Sequence, residues 1–448
     1  MTAFPLGLHR PVEHAAPLPA HADVVVIGGG VIGVMTAYYM AVAGLRPVLL
    51  EKGRVAAEQS SRNWGWVRQQ GRDPGELPIM MEANRLWARL AAEVGEDLGL
   101  VQCGLTYLAK TEAEMTGFQG WLDEVAGSGV DSRLMSAGEV KAMLPDGQTA
   151  WAGALHTASD MRAEPWIAVP ALARAAVRKG AVIVENCAAR TLDLQGGAVA
   201  GVMTEQGHIS ASRVVVAGGA WSSLFLRRHG VSIPQLSVKA TVVATKALPE
   251  IHAGGADGDG LAFRRRKDGG YSLAAGGFHE FYIGPDAFRA FARFLPQLWR
   301  DPWGRRYSPL SPKHYPDAWG TARRWSETDE SPFEKMRVLN PAPNRPKVAE
   351  LLARFAREYP VLGAVEEGQS WAGMIDTMPD DVPVVDEIAA IPGLAVCTGM
   401  CGHGFGIGPG FGRVMASLVA GDDPGHDLTR FRLGRFTDGS KLVLGPEI

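Results

Sequence analysis

The sequence predicts a mixed α/β fold of two lobes, and three observations carry that reading. An apolar, β-branched run, DVVVIG (23–28), leads into the glycines of GGGVIG. A helical stretch ending at Gly44 and a second strand, RPVLLEK, follow, which makes a βαβ unit within about 30 residues. Strand and helix alternate again beyond residue 150 and beyond residue 346. Residues 236–285 instead alternate and turn often, as an antiparallel sheet does. One lobe is therefore expected to be Rossmann-like and discontinuous, built from 23–90, 150–230 and 346–448. The other, an antiparallel-sheet α+β lobe for substrate, would come from 91–149 and 231–345.

The elements follow in order. The first 22 residues hold four Pro and three His, with no apolar core flanked by positive charge. They read as a flexible leader and not as a secretory signal. Amphipathic spacing predicts helices over 77–98, 112–126, 165–178 and 347–359. Between the third of these and residue 218 lie the strand AVIVEN, two hairpin-like pieces, and the apolar strand of VVVAGG. Residues 296–345 are rich in Pro, Trp and Arg and read as a loop-rich excursion, a lid or a subunit contact, in which Pro repeatedly breaks helix. The chain then closes on strand, long glycine turn and helix in LAVCTGMCGHGFGIGPGFGRVMASLVAG.

Composition bounds the function classes. A net charge of −3 gives no sign of a nucleic-acid partner. Four Cys in 448 residues do not form a disulfide framework and favour a reducing compartment. Cys397 and Cys401 lack the second pair that a zinc knuckle needs, so no metal site is expected. No run of about 18 apolar residues occurs, so no membrane span is expected. The expectation is a cytoplasmic protein.

The strongest motif is Gly28, Gly30 and Gly33 in a G-x-G-x-x-G pattern. Gly28 allows the tight turn, Gly30 leaves room for a pyrophosphate, and Gly33 lets helix and strand pack closely. Free N–H groups at a helix N-terminus then meet the phosphates, with Val31 and Ile32 at that turn. Glu51 ends the second strand, placed to bind ribose hydroxyls, with Lys52 beside it. A carboxylate there argues against the 2′-phosphate of NADP, and the cofactor is FAD or NAD.

RVAAEQSSRNWGWVRQQG follows the second strand, and here the sequence resembles the D-amino-acid oxidase, glycine oxidase and sarcosine oxidase superfamily of flavoenzymes. VVVIGGGVIG with LLEK, SSRNWGWVRQQ, VVVAGGAWS (214–222) and GMCGHGFGIGPGFGR (399–413) carry the resemblance, in the family's order. The resemblance implies FAD as cofactor. Ser60, Ser61 and Asn63 would line its diphosphate and flavin edge, and Ala189 would meet the adenine. Gly218, Gly219 and Trp221 would close over the adenosine half. The turn Gly402-His403-Gly404-Phe405-Gly406-Ile407 would run beside the isoalloxazine, its N–H groups stabilising charge on the reduced ring.

The resemblance further implies oxidation of a carbon–nitrogen bond, in a D-amino acid, an N-substituted amino acid or another secondary amine. Hydride would pass to flavin N5, and the imine would hydrolyse. Oxidation of a 2-hydroxy acid, or service as the flavin subunit of a larger dehydrogenase, is the alternative. Arg68 is the first candidate for a substrate carboxylate, since a guanidinium binds carboxylates bidentately. Arg72 is the second, and a surface or diphosphate-side role is the competing reading for both. Tyr271 and His279 lie on the expected substrate sheet, as pocket or core residues. His403 is the one candidate base, although hydride transfer from a neutral amine has no obligatory need of one. Relatives that attach flavin through Cys do so in the stretch matching 371–381, which holds no Cys here, so a non-covalent cofactor is expected. Ala275 stands where oxidase relatives place a Lys that serves reaction with oxygen, which leans toward a quinone or partner protein as acceptor.

Overall fold

The computed structural model describes residues 4–301 and 305–446. Its first sheet has six strands in the order 384–387, 394–398, 214–216, 24–27, 47–50, 182–184. All neighbours are parallel except the edge strand Val384–Glu387. The central strand Val24–Ile27 registers Val25 on Val214 and Val26 on Leu49. Its residues are apolar on both faces because helices cover one side and a small sheet the other. Helix Val31–Val42 packs against Gly404–Ala420 and Pro165–Arg178, and Gly404–Ala420 packs against Leu77–Glu93. The opposite face carries the three-stranded antiparallel sheet of Ala189–Gln195, Ala198–Thr204 and Gly207–Ser210.

The second sheet holds ten strands and is mostly antiparallel. Its centre is Leu236–Thr245, paired along its length with Glu367–Thr377 on one side and with Tyr271–Ala274 and His279–Tyr282 on the other. Two pairings are parallel, Gly255–Gly258 with Leu105–Ala109 and His279–Tyr282 with Arg305–Ser308.

The lobes divide differently from the sequence expectation. Strand Gly153–Thr157 pairs with Leu105–Ala109 in the second sheet. Helix Arg345–Glu358 packs on the same sheet, and Glu367–Thr377 belongs to it. Residues 346–377 therefore go with the second sheet. Strand alternation does not say which sheet a strand joins; the partner here lies more than 120 residues away.

The leader is anchored. Glu185 accepts hydrogen bonds from the backbone N–H groups of Glu13 and His14, Ala15 bridges Val184, and His21 bridges Ser210. Its first three residues lie outside those described. The excursion 296–345 is irregular apart from short elements, but it opens inside a regular helix, Pro285–Arg300, which accommodates Pro296. Residues 302–304 of the excursion lie outside those described.

Candidate functional site

A groove runs along the carboxyl ends of the central strands, where open α/β sheets place ligands. Gly28 has φ +114°, and a Cβ there would lie 2.4 Å from the carbonyl oxygen of Ala217. A Cβ on Gly33 would lie 1.9 Å from the Gly28 oxygen, so only glycine lets the helix sit this close to the strand. Gly30 caps the helix and borders open groove, its absent Cβ meeting only Ser60 Oγ at 3.0 Å. That hydroxyl accepts the N–H of Val31 at 2.9 Å.

Glu51 stands at the end of the second strand. Its carboxylate accepts the N–H groups of Gly29 and Gly53, both at 2.7 Å, and burial pushes its pKa up to about 7. Glu58, which sequence reasoning missed, knits the wall together. It accepts from Trp221 Nε1 at 3.1 Å, from the N–H of Leu339 at 2.9 Å, and from Lys52 Nζ at 2.5 Å. Lys52 also lies 4.4 Å from the Trp221 ring centre. Lys52 thus fixes Glu58 and Trp221 while bordering the groove.

The far end of the groove is shaped by Asp376, also missed. Its buried carboxylate accepts from the N–H of Gly399 at 2.8 Å and from Gln235 at 3.2 Å. This holds the turn 399–403, in which Cys401 takes a φ of 49°. The glycine run expected as a turn through Ile407 becomes helix from Gly404. Its alternate glycines permit close packing: a Cβ on Gly406 would lie 3.2 Å from the Val67 backbone, and one on Gly410 2.7 Å from the oxygen of Ile79.

Of the predicted cofactor residues, Gly28, Gly30, Val31, Ile32, Glu51, Lys52, Ser60, Asn63, Ala189, Gly218, Gly219, Trp221, Gly402, Gly404 and Phe405 line this groove. Gly33, Ser61, His403, Gly406 and Ile407 do not, and His403 lines the adjoining cavity instead. Gly33 faces the strand, and Ser61 is buried with its hydroxyl on the Glu58 carbonyl. Gly406 accepts from Trp87 Nε1, and Ile407 belongs to the helix-side core.

A second cavity of about 460 Å³ adjoins the groove, sharing Gln59, Asn63, Gly402 and Phe405 with it. Trp64, Trp66, Tyr107, Phe118 and Phe405 form apolar walls. Arg68, Arg72, His279 and His403 line it, as does Asp257. The Arg68 guanidinium lies 5.0 Å from the Tyr107 ring centre. Arg72 Nε donates to the Arg68 carbonyl at 3.0 Å. Neither guanidinium makes an ion pair among the described residues, and each keeps a buried nitrogen without a partner. Burial pulls both below the ordinary guanidinium range, and their mutual repulsion deepens the effect on Arg68. Two adjacent buried cations of this kind want an anion.

Tyr271 is not in this cavity. It is fully buried among Phe263 and Phe355, and its hydroxyl accepts from the N–H of Ile251 at 2.9 Å. On its strand Tyr271 points into the core beneath helix Arg345–Glu358. Ala275 packs on the same core and lines neither space.

FAD suits the groove on the structure's own terms. Open groove borders Gly30 at a helix N-terminus, Glu51 lines it at the end of the second strand, and a second helix N-terminus lies at the cavity junction.

Residues 23–418 match the family model described as DAO: FAD dependent oxidoreductase. The structure of L-amino acid deaminase from Proteus myxofaciens in complex with anthranilate superposes with a TM-score of 0.91. It is 29% identical, over 96% of this chain and 98% of that one. Glycine oxidase from Geobacillus kaustophilus is 27% identical over 92% of this chain and 97% of its own length. Mitochondrial sarcosine dehydrogenase from Mus musculus is 30% identical over 249 residues, 54% of this chain. That match spans 27% of the mouse protein, so the chain corresponds to only a part of it.

Proposed function

The chain belongs to the DAO family of FAD dependent oxidoreductases, and from that premise we propose that it oxidises the carbon–nitrogen bond of an α-amino acid or N-substituted amino acid. The observation that carries this is the pair Arg68 and Arg72, buried in an aromatic-walled cavity that opens onto the cofactor groove. Such a pair selects a carboxylate, and L-amino acids and glycine, which the similar deaminase and oxidase are named for, carry one.

Gly28, Gly30 and the N–H groups opening helix Val31–Val42 would hold the FAD diphosphate, and Glu51 the ribose. Gly402, Gly404 and Phe405 would border the ring. When bound, FAD supplies the two-electron acceptor for the carbon–nitrogen bond. The chain's own residues do the rest. Arg68 and Arg72 take the carboxylate and so fix which substrate atoms face the groove. Trp64, Trp66, Tyr107 and Phe118 exclude water, which strengthens that charge pairing. His403 lines the cavity with burial and the two arginines holding its pKa far down, so it stays neutral and offers a nitrogen without competing for the carboxylate.

The test is anaerobic bleaching of the protein's flavin absorbance by amino acids, N-methyl amino acids, simple amines and 2-hydroxy acids. Bleaching by carboxylate-bearing amines alone is expected. Bleaching by 2-hydroxy acids and not by amines would replace this reading.

A further inference from the structure

Asp257 is the only carboxylate lining the second cavity among the described residues, against the three cations Arg62, Arg68 and Arg72. It sits on strand Gly255–Gly258, directly beside Tyr107 of the parallel strand Leu105–Ala109, so the two side chains leave the sheet on the same face. Gly276 makes room for it: a Cβ there would lie 2.8 Å from Asp257 Oδ2. Among the described residues, the one hydrogen bond to this carboxylate comes from the adjacent N–H of Gly258, and no cation forms an ion pair with it. Burial pushes its pKa up to about 6, against the pull of Arg68 and Arg354, so the group is ionised at neutral pH.

An anion out of water and without a paired cation is destabilising, and a ligand that brings a cation relieves it. The walls suit that ligand. Trp64, Trp66, Tyr107 and Phe118 border the same space, and a cation over a ring face is attracted to it. The place of Asp257 says which end of the ligand carries the charge. The cavity meets the cofactor groove through Gln59, Asn63, Gly402 and Phe405. Asp257, Tyr107, Leu108 and Phe118 line the cavity and not the groove, so Asp257 stands off the junction where the carbon to be oxidised faces the groove. A carboxylate on the reacting nitrogen would, moreover, hold that nitrogen protonated, and a protonated amine does not release hydride. Asp257 is thus placed for a side chain. There it offsets the repulsion that the three arginines would otherwise exert on a cation.

We infer that Asp257 selects a substrate with a second, cationic end: an α-amino acid or N-substituted amino acid whose side chain carries an ammonium or guanidinium group. Arg68 and Arg72 take the carboxylate, Asp257 takes the distal cation, and the aromatic walls hold the chain between them. The assignment rests on the amino-acid reading above.

The test is the second-order rate of anaerobic flavin bleaching by lysine and by norleucine, which has the same carbon chain without the ε-amine, each as both enantiomers. The flavin-loaded parent should prefer lysine at least about tenfold, the discrimination expected of one charge-assisted pair in a dry pocket. Asp257→Asn should lower the lysine-to-norleucine ratio at least about tenfold, and Asp257→Glu, which keeps the charge, should lower it less. The parent's ratio decides the matter whether or not a variant folds. Bleaching by norleucine at or above the rate for lysine, or by other amino acids and not by lysine, would overturn the assignment and leave amino-acid oxidation standing. An equal loss on both substrates in Asp257→Asn would also overturn it, and would make Asp257 a counter-charge to Arg68 alone. Bleaching by no amino acid would remove the amino-acid reading and this assignment with it.

Discussion

His403 Nδ1 lies 3.2 Å from Glu76 Oε2, which joins the residue capping helix Gly404–Ala420 to the residue capping helix Leu77–Glu93. The two helices pack on each other, and Gly404–Ala420 begins at the second cavity. Burial acts on the two groups in opposite directions: it pushes Glu76 up to about 8 and His403 far down, so the pair is neutral at neutral pH. Arg72, Asp73, Arg430 and Arg68 are the charges that face Glu76.

This pairing predicts a pH dependence of stability. A carboxyl with a raised folded pKa holds its proton in the folded state over a range where the unfolded chain has released it. Its contribution is fully present below the ordinary value of 4.5 and is lost as pH rises through about 8. The melting temperature should therefore fall as pH is raised from neutrality through about 8. Glu76→Gln, which keeps a neutral hydrogen-bonding group, should flatten that part of the curve. An unchanged slope in the variant would show that Glu76 does not titrate there.

The glycines of the first turn predict two different failures. Gly30→Val should fold and yet purify colourless, since its methyl groups project where the diphosphate belongs. Gly33→Ala should damage the fold itself, by at least about 1–3 kcal/mol, because its Cβ would overlap the carbonyl of Gly28. The ratio of flavin to protein absorbance and the melting temperature separate the two.

Attachment should be non-covalent. The stretch 371–381 has no Cys. Two thiols line these spaces, Cys397 in the groove and Cys401 in the second cavity; Cys401 donates to the Gly399 carbonyl at 3.1 Å, and burial raises the pKa of both far out of the thiolate range. Acid precipitation should leave the yellow colour in the supernatant, for the parent and for Cys401→Ser alike. A yellow pellet from the parent would identify a bond to some other side chain.

The parts of the site legible in the sequence are those made by backbone chemistry at fixed spacing. Gly28, Gly30, Gly33 and Glu51 sit within 24 residues, and their geometry follows from one βαβ unit. Asp376 could not be found that way. It reaches Gly399 only because Glu367–Thr377 pairs with Leu236–Thr245, a contact no local pattern announces. Glu58 was hidden in a polar stretch, EQSS, whose hydroxyls drew the inference while its carboxylate does the bracing. Tyr271 shows a choice that the sequence leaves open. Residue type and sheet allow pocket or core, and the side of the strand it occupies turns it into the core.

Arg68 should anchor the substrate carboxylate. Its guanidinium lines the cavity against the Tyr107 ring, has no ion-pair partner among the described residues, and is kept in place by a backbone that Arg72 braces through the Arg68 carbonyl. Each charge-assisted hydrogen bond to a carboxylate in such a setting contributes about 1.5–3 kcal/mol. Orientation matters more: a misplacement of about 1 Å can cost on the order of 100-fold in rate. Arg68→Lys keeps the charge and loses the planar fork, so KM should rise strongly, and Arg68→Ala should raise it further. Flavin content should be unchanged in both, because Arg68 does not line the cofactor groove. Loss of flavin from Arg68→Ala would move the residue to the cofactor site. Normal kcat/KM with flavin retained would pass the anchoring role to Arg72, whose own unpartnered nitrogen makes it the next variant to measure.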